Sequence, residues 1–280
     1  MGPVERVDTL AWAQPAAQGR ASVRYGAASL TGATRVTNED SYLVAPPVFV
    51  VADGMGGHLS GDVASGIVVD RFAELVATAG LTVEQVRSCI DRCQAEVGGL
   101  VAGEGPAPGT TLVAAAMIRR EGASHWLVAN VGDSRAYRWA EGRLRQISHD
   151  HSVVQELIDA GRIDVEAARS HPERNVITRA IGIDNAGADY SLIPLSLGSR
   201  LLLCSDGVSS VLSDEGIGLI LADAGDPGES ARRLVVDARE AGGVDDATAV
   251  VIDVLRVDEP SDSSGGSEAQ VDTVPSGSPG

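Results

Sequence analysis

Residues 110–147, TTLVAAAMIRREGASHWLVANVGDSRAYRWAEGRLRQI, decide the fold. Apolar runs at 110–118, 125–131 and 135–139 are followed by RLRQI, with only a few residues between neighbours. Connections this short cannot cross over a sheet, so the stretch reads as an antiparallel meander. Runs of the same kind stand at 41–44, 48–52, 200–204 and 247–255. Helical periodicity occupies 60–77 and 82–101, side by side, and returns at 152–160, 214–222 and 228–241. Strands grouped in meanders with helices in pairs imply an α+β protein, with stacked antiparallel sheets and helices packed on their outer faces.

Composition narrows the function. The 280 residues suit one large domain or two small ones. With 44% hydrophobic but only 3% aromatic residues, the core must be built from Val, Leu, Ile and Ala. A formal charge of −17 argues against nucleic acid and anionic membrane as partners, since both need basic patches. All 22 basic residues are Arg. The lack of lysine excludes a P-loop and any Schiff-base mechanism. Cys89 and Cys93 lie four apart on a helical stretch, and Cys204 lies in an apolar run. They read as structural thiols in a reducing compartment, because zinc would need more ligands nearby. The first twenty residues lack a basic segment followed by an apolar one, and no run approaches the ~18 apolar residues of a membrane span. A cytoplasmic protein is expected. Residues 1–22 read as a flexible arm and 23–256 as a single domain. Residues 257–280, rich in Ser, Gly, Pro and acids, read as a disordered tail.

Acids recur where apolar runs end. Residues 48–52 end in Asp53-Gly54, 200–205 in Asp206-Gly207, and 125–131 in Gly132-Asp133; GVDD at 243–246 precedes the last strand. Any one Asp-Gly is most simply a turn. Four beside buried strands, with the acidic RVTNED as a fifth, point to converging carboxylates, which repel one another unless a cation lies among them. Oxygen donors without a His or Cys cluster select a hard ion, Mg²⁺ or Mn²⁺. Two such ions sharing a carboxylate form a hydrolytic centre suited to phosphoryl chemistry.

Eight segments in one order carry a resemblance. They are RVTNEDS (35–41), VADGMGGH (51–58), GTTLVAA (109–115), NVGDSRAY (130–137), DHSVVQELIDAGRI (150–163), HPERNVITRAIG (171–182), LLLCSDGVS (201–209) and GGVDDAT (242–248). Over residues 24–256 the chain resembles the metal-dependent protein phosphatases of the PPM, or PP2C, type in their bacterial form. The resemblance implies a β-sandwich flanked by paired helices. It also implies a phosphoserine and phosphothreonine phosphatase in which a metal-bridging water attacks phosphorus directly. Asp53 would bridge two Mn²⁺ or Mg²⁺ ions, the Gly54 carbonyl would bind the second, and Asp206 and Asp245 would complete the first. Asp133, with Asp206, would hold a weaker third ion. Arg35 would grip the phosphate, and Glu39 or Asp40 would hold metal-bound waters. Residues 150–180 would form a flap beside the site. The partners implied are phosphorylated proteins, targets of bacterial kinases, met by a monomer.

Two positions depart from the family pattern. Asp246 stands where Asn is usual, adding a charge beside the metals. Met55 occupies the place where some members carry a general-acid His. His58, five residues after Asp53, is then either the proton donor to the leaving alkoxide or a residue orienting a metal-bound water; the second is preferred. Among the remaining histidines, His125 reads as packing or surface. In SHDHS at 148–152, Ser148 or Asp150 reads as a helix cap. An inactive phosphoprotein-binding module, or a regulatory phosphatase dedicated to one partner, remain the alternatives.

Overall fold

The structure is a computed structural model that describes residues 4–13, 21–56, 61–78, 80–100, 107–183, 187–223, 225–257 and 272–274. In chain order these form β1 (Glu5–Ala13), β2 (Ser22–Leu30), β3 (Asp40–Ala45), β4 (Val48–Met55), α1 (Gly61–Ala73), α2 (Val83–Gly98), β5 (Gly109–Thr110), β6 (Leu112–Arg120), β7 (Ala123–Val131), β8 (Arg135–Ala140) and β9 (Arg143–Gln146). Next come α3 (Val153–Asp159), α4 (Val165–Arg169), β10 (Asp189–Pro194), β11 (Arg200–Cys204), α5 (Asp206–Ser209), α6 (Asp214–Ala222), α7 (Pro227–Glu240), β12 (Ala247–Arg256) and β13 (Asp272–Val274).

The stretch expected to form one meander instead forms two hairpins in different sheets. Strand β6 pairs with β7 in one and β8 with β9 in the other, because the chain crosses between the stacked sheets at residues 132–134. Glu121-Gly122 joins β6 to β7 and Glu141-Gly142 joins β8 to β9, with positive φ at all four residues. Such two-residue turns match the twist of the strands they connect, and glycine takes the second position without strain.

Two antiparallel sheets stack face to face, one ordered β1-β2-β12-β11-β8-β9, the other β13-β10-β7-β6-β4-β3 with β5 on β4. Alternate residues of one strand serve different layers. In β4, Val48, Val50 and Ala52 pack under α1 and α2, whereas Phe49 and Val51 face the opposite sheet. In β11, Leu201 and Leu203 face that interior and Leu202 packs under α6 and α7. A strand buried on both faces needs a continuous apolar run, which is why VFVVA and LLLC stand out in the sequence. Tyr25, Phe49 and Trp126 meet edge to face between the sheets, with ring centroids 5.3 and 5.8 Å apart. All three cysteines are buried free thiols. No helix among the described residues is long and apolar enough to cross a membrane.

The ends of the chain differ from expectation. Glu5–Ala13 is not a flexible arm but the edge strand β1, antiparallel to β2. Its alternation is weak because Leu10 and Ala11 are exposed, while Trp12 packs against the interior between the sheets. Most of residues 257–280 lie outside the described residues, but Asp272–Val274 forms β13 against β10.

Candidate metal centre

One end of the two sheets gathers the acids. Strand β4 ends there beside the start of β3, so Asp53 pairs directly with Asp40 in the ladder. The Asp53 backbone is held on both sides. Its N–H donates to Thr111 Oγ1 (3.0 Å), and its carbonyl accepts from the Thr111 N–H (2.9 Å) and Thr110 Oγ1 (3.0 Å). Gly54 then passes between the start of α1 and β3. A Cβ there would collide with the Gly61 carbonyl and lie 2.6 Å from the Glu39 oxygen, so only glycine fits. Asp133 follows the end of β7, Asp206 follows β11, and Asp245 precedes β12. Glu39, Asp53, Asp133, Asp206 and Asp245 line one cavity of about 300 Å³, together with Arg35, Gly54, Met55, Thr111, Asn175 and Ile177. Arg35 sits at its rim, donating through Nη1 to Glu39 (2.6 Å) and through Nη2 to Asp245 (2.8 Å).

The electrostatics are those of crowded acids. Burial pushes Asp53 well above the usual carboxylate range, and the charges of Asp40, Asp206, Asp133 and Asp245 push it further. Burial, then the Asp206 and Asp150 charges, lift Asp133 to about 8. Burial and then Asp245 lift Asp206 to about 6. Asp40 rises to about 7 through burial, against the hydroxyl hydrogen bonds of Thr248 and Ser205. Glu39 is raised by burial, against the pull of Arg35. Among the described residues no three of these side chains are already drawn in to ligating distance. Ionised carboxylates crowded in this way repel one another, and a divalent cation among them reverses that balance.

The donor set fits a hard divalent ion. Asp40 Oδ1 is buried without a hydrogen-bond partner. Such an acceptor is costly unless a cation or its hydration water meets it. The donors available to an ion are the carboxylates of Asp53, Asp133, Asp206 and Asp245 and the Gly54 carbonyl, all oxygen.

Asp246 lies apart from the cavity wall and is buried. Its Oδ1 accepts from the Gly32 N–H (2.6 Å) and its Oδ2 from the Glu39 N–H (2.9 Å). The extra carboxylate thereby closes both ends of the loop that carries Arg35. His58 lies outside the described residues. The cap of α3 is Ser152, whose Oγ accepts from the Gln155 N–H (3.3 Å), and not Ser148 or Asp150. The Ser148 hydroxyl instead accepts from the Ala136 N–H (2.9 Å), and Asp150 is bound bidentately by Arg135.

Several residues of the site lie within the matching segments but carry roles the motifs do not reveal. Thr111 fixes the Asp53 backbone, and Asn175 and Ile177 bring the α3–α4 region to the cavity. Buried His151 accepts the Gly132 N–H at Nδ1 (3.1 Å), which leaves Nε2 to meet Asp189 at 3.1 Å. It thus braces the turn that presents Asp133. Its position in DHS beside Asp150 gave no signal of this, because the partner lies 19 residues away.

The chain is similar to known proteins in both sequence and fold. Residues 34–220 match the family described as Protein phosphatase 2C. The serine/threonine protein phosphatase PstP of Mycobacterium tuberculosis H37Rv is 38% identical over 246 residues, 84% of this chain and 46% of that protein. The chain therefore spans about half the length of that curated relative. The serine/threonine phosphatase stp of Listeria monocytogenes F2365 is 35% identical over 216 residues, 74% of this chain and 84% of that protein. The crystal structure of M. tuberculosis PstP/Ppp superposes with a TM-score of 0.77 at 34% identity, covering 84% of this chain and 99% of that one. The PstP catalytic domain in complex with two manganese ions gives 0.75 at 34% identity, with the same coverage of both chains.

Proposed function

The chain belongs to the protein phosphatase 2C family, and on that premise we propose that it hydrolyses phosphoserine and phosphothreonine in proteins with the help of two Mn²⁺ or Mg²⁺ ions. The observation that carries this reading is the cavity lined by five acids from separate stretches of the chain, with Arg35 at its rim. Bound there, the two ions supply an acidified nucleophile and neutralise charge developing at phosphorus. Asp53, the Gly54 carbonyl, Asp206 and Asp245 would hold the two ions, with Asp53 shared between them, and Asp133 with Asp206 would hold a weaker third. Glu39 and Asp40 accept hydrogen bonds from the hydration shell. Arg35 swings its planar fork to the phosphate oxygens, which compete with Glu39 and Asp245 for the same donors. His58 would orient a metal-bound water. The substrates are phosphoproteins made by bacterial Ser/Thr kinases, and the enzyme acts as a monomer.

Hydrolysis of p-nitrophenyl phosphate and of a phosphothreonine peptide, with and without Mn²⁺, tests the reading. Activity is expected to require millimolar-range Mn²⁺ or Mg²⁺ and to vanish in EDTA. Full activity in chelator would refute the two-ion centre. Binding of phosphopeptide with no turnover under any metal would instead favour an inactive recognition module.

A further inference from the structure

Beside the carboxylate cavity lies a second, of about 270 Å³, between the α3–α4 region and the surface of β8, α5 and α6. Asn175 lines both, so a peptide whose phosphorylated side chain enters the first passes the mouth of the second. The floor of the second cavity is polar and internally satisfied. Arg135 donates to both oxygens of Asp150 (2.6–3.0 Å), and Gln146 Nε2 donates to Asp150 Oδ1 (2.8 Å). The charges of Arg135 and Asp150 therefore cancel.

What remains is cationic. Arg169 is held only loosely by Glu166, at 3.8 Å with both side chains exposed. Arg174 is exposed, and its guanidinium has no partner among the described residues. Asp214, the uncancelled acid of the lining, accepts from the Tyr137 hydroxyl (3.3 Å). In a chain of net charge −17, two under-used guanidinium groups beside a polar cavity contribute little to stability. They are well placed for recognition, where Arg binds carboxylate or phosphate through paired donors.

Resting on the phosphatase reading above, we propose that this cavity is a specificity subsite. It takes an anionic side chain of the phosphoprotein substrate, Asp, Glu or a second phosphorylated residue, flanking the residue to be dephosphorylated. Arg174 is the principal counter-charge and Arg169 the secondary one.

The test compares phosphothreonine peptides that differ only in flanking residues: all neutral, with Asp at successive positions on either side, and with phosphoserine at the same positions. Wild type, Arg174→Ala, Arg174→Glu and Arg169→Ala/Arg174→Ala are assayed with Mn²⁺, using p-nitrophenyl phosphate as a substrate too small to reach the subsite. Wild type is expected to prefer an anionic flank at one register by about three- to tenfold in kcat/KM, the scale of one or two charge-assisted contacts. Arg174→Ala should reduce that preference towards unity and Arg174→Glu should invert it, while turnover of p-nitrophenyl phosphate stays within about twofold. A gain from phosphoserine alone assigns the subsite to phosphate, and an equal gain from Asp assigns it to any anionic side chain. Equal kcat/KM for neutral and anionic peptides in wild type would overturn the proposal. So would a preference that survives in the double variant. Failure to hydrolyse either kind of ester would overturn the phosphatase reading, and the subsite with it.

Discussion

Replacing Asp53 by Asn separates the two consequences of crowding acids at the end of β4. The substitution keeps the shape and removes one charge from a group that burial and four neighbouring carboxylates already push towards its neutral form. In EDTA, Asp53→Asn is therefore expected to melt above wild type, because repulsion is relieved. With Mn²⁺, phosphatase activity should fall by about 10³ or more if Asp53 is the shared ligand proposed above. A lower melting temperature in EDTA would show that the contacts of the native carboxylate outweigh its repulsion, and activity within about tenfold of wild type would remove Asp53 from the centre. Asp246 shows the opposite case. From the sequence it is one more charge beside the metals, yet in the fold both its oxygens are spent on backbone N–H groups of the Arg35 loop. No motif shows where a carboxylate's oxygens point.

Elements buried on two faces were legible, and the half-exposed ones were not. Runs such as those of β4, β6 and β11 are apolar throughout because each strand separates two cores, and the ends expected from the sequence fall within three residues of those observed. Strand β1 gave no such signal, since Leu10 lies 50% exposed while Trp12 packs against the interior. What fixes it is tertiary. The Thr9 hydroxyl donates to Asp226, the N-cap of α7, and accepts from the Gly228 N–H (3.1 Å). Deleting residues 1–13 would uncover the β2 edge and the cap of α7 together. The melting temperature is expected to drop by at least about 4 °C, on the scale of 1–2 kcal/mol in a domain of this size. Hydrolysis of p-nitrophenyl phosphate should persist, because no residue of β1 lines the cavity. An unchanged melting temperature would mean that the strand adds nothing to the sheet.

At the scale of the whole molecule, the acid cluster ties stability to pH. The native values of about 6 for Asp206, 7 for Asp40 and 8 for Asp133 all exceed the ordinary 3.8. Between roughly pH 4 and 8 the native state therefore binds more protons than the unfolded chain, and stability falls as pH rises through that window. In EDTA the melting temperature is expected to decline from about pH 5.5 to about 8.5. Saturating Mn²⁺ should flatten that decline and raise the melting temperature more at about pH 8 than at about pH 6, because the ligands must be deprotonated to bind. A Mn²⁺ increment independent of pH would mean that these carboxylates do not titrate with the ion.

By itself the sequence determined the layer architecture and the chemical type of the site. Strands covered on both faces must be apolar along their whole length, and acids placed where such strands end must meet a cation or repel one another. Only the tertiary structure decided which strand ends converge. The backbone of Asp53 is fixed by Thr111, 58 residues on, and the turn before Asp133 by His151. It also decided that the α3–α4 region would set Asn175 between two cavities and leave Arg174 at the mouth of one of them. Those contacts join residues far apart in the chain, and each half carries no periodicity or spacing that records its partner.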